Sequence, residues 1–122
     1  MRRVRLESAA PAKGAAEVFH VQKLTGHLWA RLMELEEDGL RVLFPTDPRE
    51  GAGVVLADLP GGDTEALVRE LRDRWQVLCR WENGAARFEL GPDTTFEELD
   101  YVQDAVYRLL LRRTEAPGKN QE

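Results

Sequence analysis

The chain of 122 residues carries 17 Lys and Arg against 22 Asp and Glu, a formal charge of -5, with 43% apolar residues and one cysteine. This length predicts one domain that buries an ordinary core without cross-links; the acidic balance disfavours nucleic acid as a partner, and Cys79 alone excludes an internal disulfide and leaves too little for a thiolate metal site. No apolar run approaches a membrane span and the N-terminal "MRRVRLESAAPAKGAAE" lacks the apolar stretch of a secretory signal, so no membrane partner and a cytoplasmic location are expected.

Residues 1–14 are rich in Ala, Pro and Arg with no sustained period and are expected to form a flexible lead, although "RVRL" could add a short strand. A single domain is expected over 15–113. From about Glu17 to Glu37, Val18, Val21, Leu24, Leu28, Leu32 and Leu35 recur every three or four positions, the stripe of an amphipathic helix, which Asp38-Gly39 ends. "LRVLFP" has the apolar character of a strand stopped by Pro45, "TDPREGAG" is a loop and "VVLADL" a second strand. Asp63 or Thr64 caps the helix "TEALVRELRDR", which turns Ala66, Leu67 and Leu71 inward. Its Arg69, Arg72 and Arg74 form the wet side, balanced by Glu65, Glu70 and Asp73.

Asn83-Gly84 predicts a hairpin, because both residues tolerate the positive φ of a type I′ turn. That turn sets Trp81 opposite Ala86, Arg80 opposite Arg87, Cys79 opposite Phe88, Leu78 opposite Glu89 and Val77 opposite Leu90. One face, Val77, Cys79, Trp81, Ala86, Phe88 and Leu90, is then core, and the other presents Gln76, Leu78, Arg80, Arg87 and Glu89. In the last helix Thr95 and Glu98 have capping-box spacing, and Phe96, Leu99, Val102, Val106, Leu109 and Leu110 form the buried stripe. Residues 114–122, "TEAPGKNQE", are expected to be a disordered tail. The order α-β-β-α-β-β-α predicts an α+β domain, a single-layer antiparallel sheet with helices packed on one face.

Over residues 80–102, "RWENGAARFELGPDTTFEELDYV", the chain resembles the C-terminal small domain of fold-type I pyridoxal-phosphate enzymes. The likeness is to the threonine aldolase and aromatic β-eliminating lyase group and to the related class V aminotransferases and cysteine desulfurases, and it extends over roughly 17–113. By this resemblance Arg87 is the strand arginine that pairs bidentately with a substrate α-carboxylate, with Arg80 facing it across the hairpin. The resemblance also implies that the cofactor lysine, the carboxylate for the pyridine nitrogen and the phosphate cradle belong to a large domain that this chain lacks. Pyridoxal phosphate would enter only if such a domain were supplied in trans, and the chain alone is expected to be catalytically silent. "SAAPAKG" is only superficially similar to the Ser-x-x-Lys-Gly surroundings of the cofactor lysine, since four residues separate Ser8 from Lys13 and Lys13 follows no buried strand.

Two facing arginines repel by some tenths of a kcal/mol up to about 1, so an anion is expected between them. Glu89, two residues along the same face, is the local candidate, and a substrate carboxylate or phosphate the functional one. Glu89 departs from the small or neutral residue of the family and could occupy the guanidinium. Cys79, on the core face, reads as a small buried hydrophobe, and Trp29, Trp75 and Trp81 as packing or a docking surface. His20 and His27, seven apart, are too far to chelate one metal and read as helix-surface polar groups. The expected partners are the large domain of a pyridoxal-phosphate enzyme or a second copy; the rival reading is a non-enzymatic interaction or self-associating module that uses the sheet face or an edge strand.

Overall fold

The computed structural model describes residues 3–50 and 52–120, and the chain enters it through a two-residue strand, β1 (Val4–Arg5). β1 runs parallel to β4 (Val77–Leu78), with Val4 beside Val77 and Arg5 beside Leu78. The Val4 N–H donates to the Gln76 carbonyl at 2.9 Å and the Leu6 N–H to the Leu78 carbonyl at 2.7 Å. Val4 and Leu6, two apart as in any strand, both enter the core. The segment expected as a lead therefore packs over residues 4–6, because each buried aliphatic side chain contributes about 1.5–3 kcal/mol. Met1 and Arg2 lie outside the described residues.

Helix α1 (Gly14–Met33) begins three residues before the predicted start and gives way to a 3-10 turn over Glu36–Asp38, closed by Gly39 at φ 108°. Its buried stripe starts at Val21, not Val18. Val21 lies against Gly53, just before strand β3 (Val54–Asp58), so the preceding turn has no sheet beneath it and Val18 and Phe19 are exposed. Within the stripe the Thr25 hydroxyl donates to the Val21 carbonyl at 2.7 Å and accepts from the Gly53 N–H at 3.0 Å, which satisfies a buried polar group and ties helix to strand.

Strand β2 (Arg41–Phe44) pairs antiparallel with β3, and the four-stranded sheet has the order β2-β3-β6-β5, with β5 (Arg80–Glu82) and β6 (Ala85–Glu89) as the hairpin. Asn83 and Gly84 adopt φ of 54° and 83°, as the type I′ turn requires, and Arg80 faces Arg87 and Trp81 faces Ala86 as predicted. Beyond Arg80 the predicted pairing fails. Val77 and Leu78 leave the hairpin to pair with β1, and the Glu89 N–H donates to the Leu6 carbonyl at 2.8 Å. The start of the chain thus takes the place that the register assigned to Cys79, Leu78 and Val77.

Helix α2 (Thr64–Trp75) is capped by Asp63, whose carboxylate accepts from the Ala66 N–H at 2.9 Å. Helix α3 (Phe96–Asn120) opens with the predicted capping box: the Glu98 N–H donates to the Thr95 hydroxyl at 3.1 Å and the Thr95 N–H to the Glu98 carboxylate at 3.0 Å. Its backbone remains helical through 114–120, since extending a nucleated helix costs little. Gln121 and Glu122, the end of the expected tail, lie outside the described residues.

The fold is α+β, three helices with a four-stranded antiparallel sheet and a small parallel pair. Helical Leu24, Leu28, Leu71, Leu99 and Val102 join Val55, Ala57, Ala86 and Phe88 of the sheet in one core. Besides Val18, two further predicted core residues are exposed: Phe96 in the first turn of α3, and Trp81, 47% exposed because β5 is the edge strand and has a neighbour on one side only. Among the described residues no helix is long and apolar enough to cross a membrane.

Candidate functional site

Alternation along the strands sends Val55, Ala57, Ala86 and Phe88 to the core and leaves Leu56, Arg87 and Glu89 partly exposed on the opposite face. Cross-strand pairing aligns Phe44, Leu56, Arg87 and Arg80 in one row across four strands. Glu89 follows Arg87 on β6, opposite Val54.

Glu89 resolves the repulsion between the two arginines. Its Oε2 accepts from Arg87 Nε at 2.8 Å and from Arg80 Nη1 at 3.4 Å, while Glu82 Oε1 lies 3.5 Å from Arg87 Nε. The Arg87 hydrogen bond holds the Glu89 carboxyl below the usual carboxylate range; burial opposes this, and the Arg87 charge, the Ala9 N–H and Arg80 add to it. The same bond raises the Arg87 guanidinium. The Arg87 side chain is 31% exposed and that of Glu89 16%. They line a cleft of about 200 Å³ with Ala9, Ala10, Pro11 and Val54.

This geometry suits anion recognition. Among the described residues Arg87 donates only through Nε, to Glu89, so the Nη edge of its fork is available to a planar carboxylate. Glu89 is then a competitor built into the same strand. Sequence reasoning anticipated the Arg87, Arg80 and Glu89 cluster but missed the backbone of Ala9, because the path of the segment before α1 depends on β1 docking beside β4.

The other singled-out residues do not converge on this cluster. Lys13 is exposed at the α1 N-cap, where its N–H donates to Glu17 at 2.7 Å, and Lys23 is exposed with its ammonium 4.8 Å from the Phe19 ring centroid. Burial, with the charge of Glu7 adding, pushes the Cys79 thiol up to about 12, so it does not supply a thiolate at neutral pH. The rings of His20 and His27 both meet the edge of Phe96, and His27 Nε2 lies 2.8 Å from Asp100 Oδ1, fastening α1 to α3. Their seven-residue spacing carried that signal, since it places both on one side of a helix. Trp29 Nε1 donates to the Pro45 carbonyl at 2.8 Å, and Trp75 packs edge-on against Tyr101, whose hydroxyl donates to the Trp75 carbonyl at 2.8 Å. Arg69, Arg72 and Arg74 lie on α2 away from this cleft, with Arg72 3.2 Å from Asp73. Among the described residues no group of His, Cys, Asp and Glu could hold a metal ion.

No family model matches the sequence, and no curated protein does either. Solved structures share its fold. A NifS-like protein aligns at a TM-score of 0.65 and 20% identity over 79% of this chain and 28% of that one. The cystine C-S lyase C-DES, in complex with cysteine persulfide, aligns at 0.64 and 19% over 78% of this chain and 25% of that one. An alanine–glyoxylate aminotransferase from Nostoc sp. aligns at 0.57 and 22% over 75% and 25%. This chain therefore spans about a quarter of the length of each of these structures.

Proposed function

We propose that this chain acts as the small domain of a fold-type I pyridoxal-phosphate enzyme, on the class V aminotransferase and cysteine desulfurase side of that group, and that Arg87 is its carboxylate-binding residue. The observation that carries the reading is a guanidinium that already holds a carboxylate at 2.8 Å, on the sheet face that the helices leave open. The shared fold with a NifS-like protein and an aminotransferase supports the assignment to the family. The described residues do not fit the cofactor itself: Lys13 and Lys23 are exposed, and neither lines the cleft that holds Arg87. No chemical step is assigned to them. What this chain contributes is binding and orientation, and the cofactor and its lysine would come from a large domain or a homologous enzyme docked on the open face.

The test frees the fork. Amide spectra of the isotopically labelled chain are followed while an L-amino acid is added to roughly 50 mM, the range of a single ion pair in water. Glu89→Gln should show saturable shifts around Arg87 and Ala9, the parent chain weaker ones, and Glu89→Gln combined with Arg87→Lys none. Absence of saturable shifts in Glu89→Gln would remove Arg87 as a carboxylate site.

A further inference from the structure

The sheet has two edges, and they differ. On the β2 edge, Pro45 follows the strand directly and its carbonyl is taken by the Trp29 indole. The β5 edge is three residues, Arg80–Glu82, all exposed, with Trp81 at its centre. In an antiparallel hairpin closed by a two-residue turn, Glu82 and Ala85 form the hydrogen-bonded pair next to the turn, Trp81 and Ala86 the non-bonded pair, and Arg80 and Arg87 the next bonded one. The Trp81 N–H and C=O therefore point away from β6, along the open edge, and among the described residues neither has a hydrogen-bond partner.

We propose that β5 is a homodimerisation edge, occupied by the β5 of a second copy running antiparallel about a two-fold axis through Trp81. In that register Trp81 faces its own symmetry mate, and the pair exchanges two backbone hydrogen bonds using the groups the hairpin leaves free. Arg80 falls opposite Glu82 of the second copy, and Glu82 opposite its Arg80. Each charge on the strand thus meets its opposite, and the cross-strand Arg80 and Arg87 repulsion gains a further carboxylate nearby. The alternatives are worse. A two-fold through Arg80 sets arginine against arginine, one through Glu82 sets carboxylate against carboxylate, and both direct bonded backbone groups at the interface. Odd offsets would turn the helices of the two copies to opposite faces of the joined sheet. Charges on an edge strand ordinarily deter pairing; here their order along the strand deters every register but one. The partner is a second copy because the complementarity is internal to one strand.

The contact is short, so the dimer should be concentration-dependent. Sedimentation velocity of the full chain, up to about 1 mM, should show a monomer–dimer equilibrium. Arg80→Glu and Glu82→Arg should each raise the dimer dissociation constant by about tenfold or more, because each turns two attractive cross-strand pairs into repulsive ones. Both sites are exposed, and circular dichroism checks that the fold is kept. The deciding measurement is the equimolar mixture of the two variants. There the first variant presents carboxylates at both positions and the second presents guanidinium groups at both, so every cross-strand pair is attractive again and association should return to the parent level. A parent chain that stays monomeric to about 1 mM, single variants that associate as the parent does, or a mixture no more associated than its components would each overturn the proposal.

Discussion

Replacing Glu89 by glutamine keeps the shape of the side chain and removes its charge, which isolates the Arg87 and Glu89 pair. The bond is charge-assisted and 2.8 Å long, and the carboxylate is shielded while the guanidinium is about one-third exposed. Solvent screening at Arg87 brings the pair below the value of a buried ion pair, so the loss at pH 7 should be about 1–1.5 kcal/mol. The pH dependence follows from the direction of the Glu89 shift. Its folded-state value lies below the ordinary 4.5, so the pair stabilises the fold fully above that value and loses its contribution as pH falls through the depressed one. Urea unfolding of both proteins between pH 7 and about 2.5 is the assay, read by tryptophan fluorescence. The stability difference should be flat down to about pH 5 and shrink toward zero at the acid end. A difference of the same size at both ends would mean that the glutamine costs stability through packing or hydrogen-bond geometry, and the electrostatic account of the cluster would be wrong.

Leu6→Ala should destabilise the domain by about 2–5 kcal/mol in the same assay, because Leu6 is fully buried in the core; a loss below ~0.5 kcal/mol would show that the start of the chain does not pack there. Cys79 should react with a thiol reagent at pH 8 about a thousandfold more slowly in the native chain than in urea, since a thiol moved from 9.0 to about 12 has that much less thiolate. Native labelling at the unfolded rate would contradict its burial in the core that holds Phe88.

What the sequence made legible was local. Asn83-Gly84 fixes its own turn and the three residue pairs next to it, Thr95 and Glu98 cap their own helix, and Glu89 lies two positions from Arg87, so each follows from neighbours in the chain. The switch of Val77 and Leu78 from the hairpin to β1 was not legible, because parallel pairing between distant segments leaves no mark in either one. Trp81 shows a related limit: alternation assigns it correctly to the face of Ala86 and Phe88, but not how far across that face the helices reach. At the site, the arginines and their counter-ion were readable from the register, whereas the cleft wall made by Ala9, Ala10 and Pro11 depended on the docking of β1.

That docking imposes an order on biosynthesis. Val4 is made about seventy residues before its partner Val77, so β1 has no partner strand while α1 and the β2–β3 hairpin are being synthesised. Closure of the parallel pair should then come late, and until it does Leu6 lacks both the β4 strand beside it and the Glu89 N–H that its carbonyl accepts.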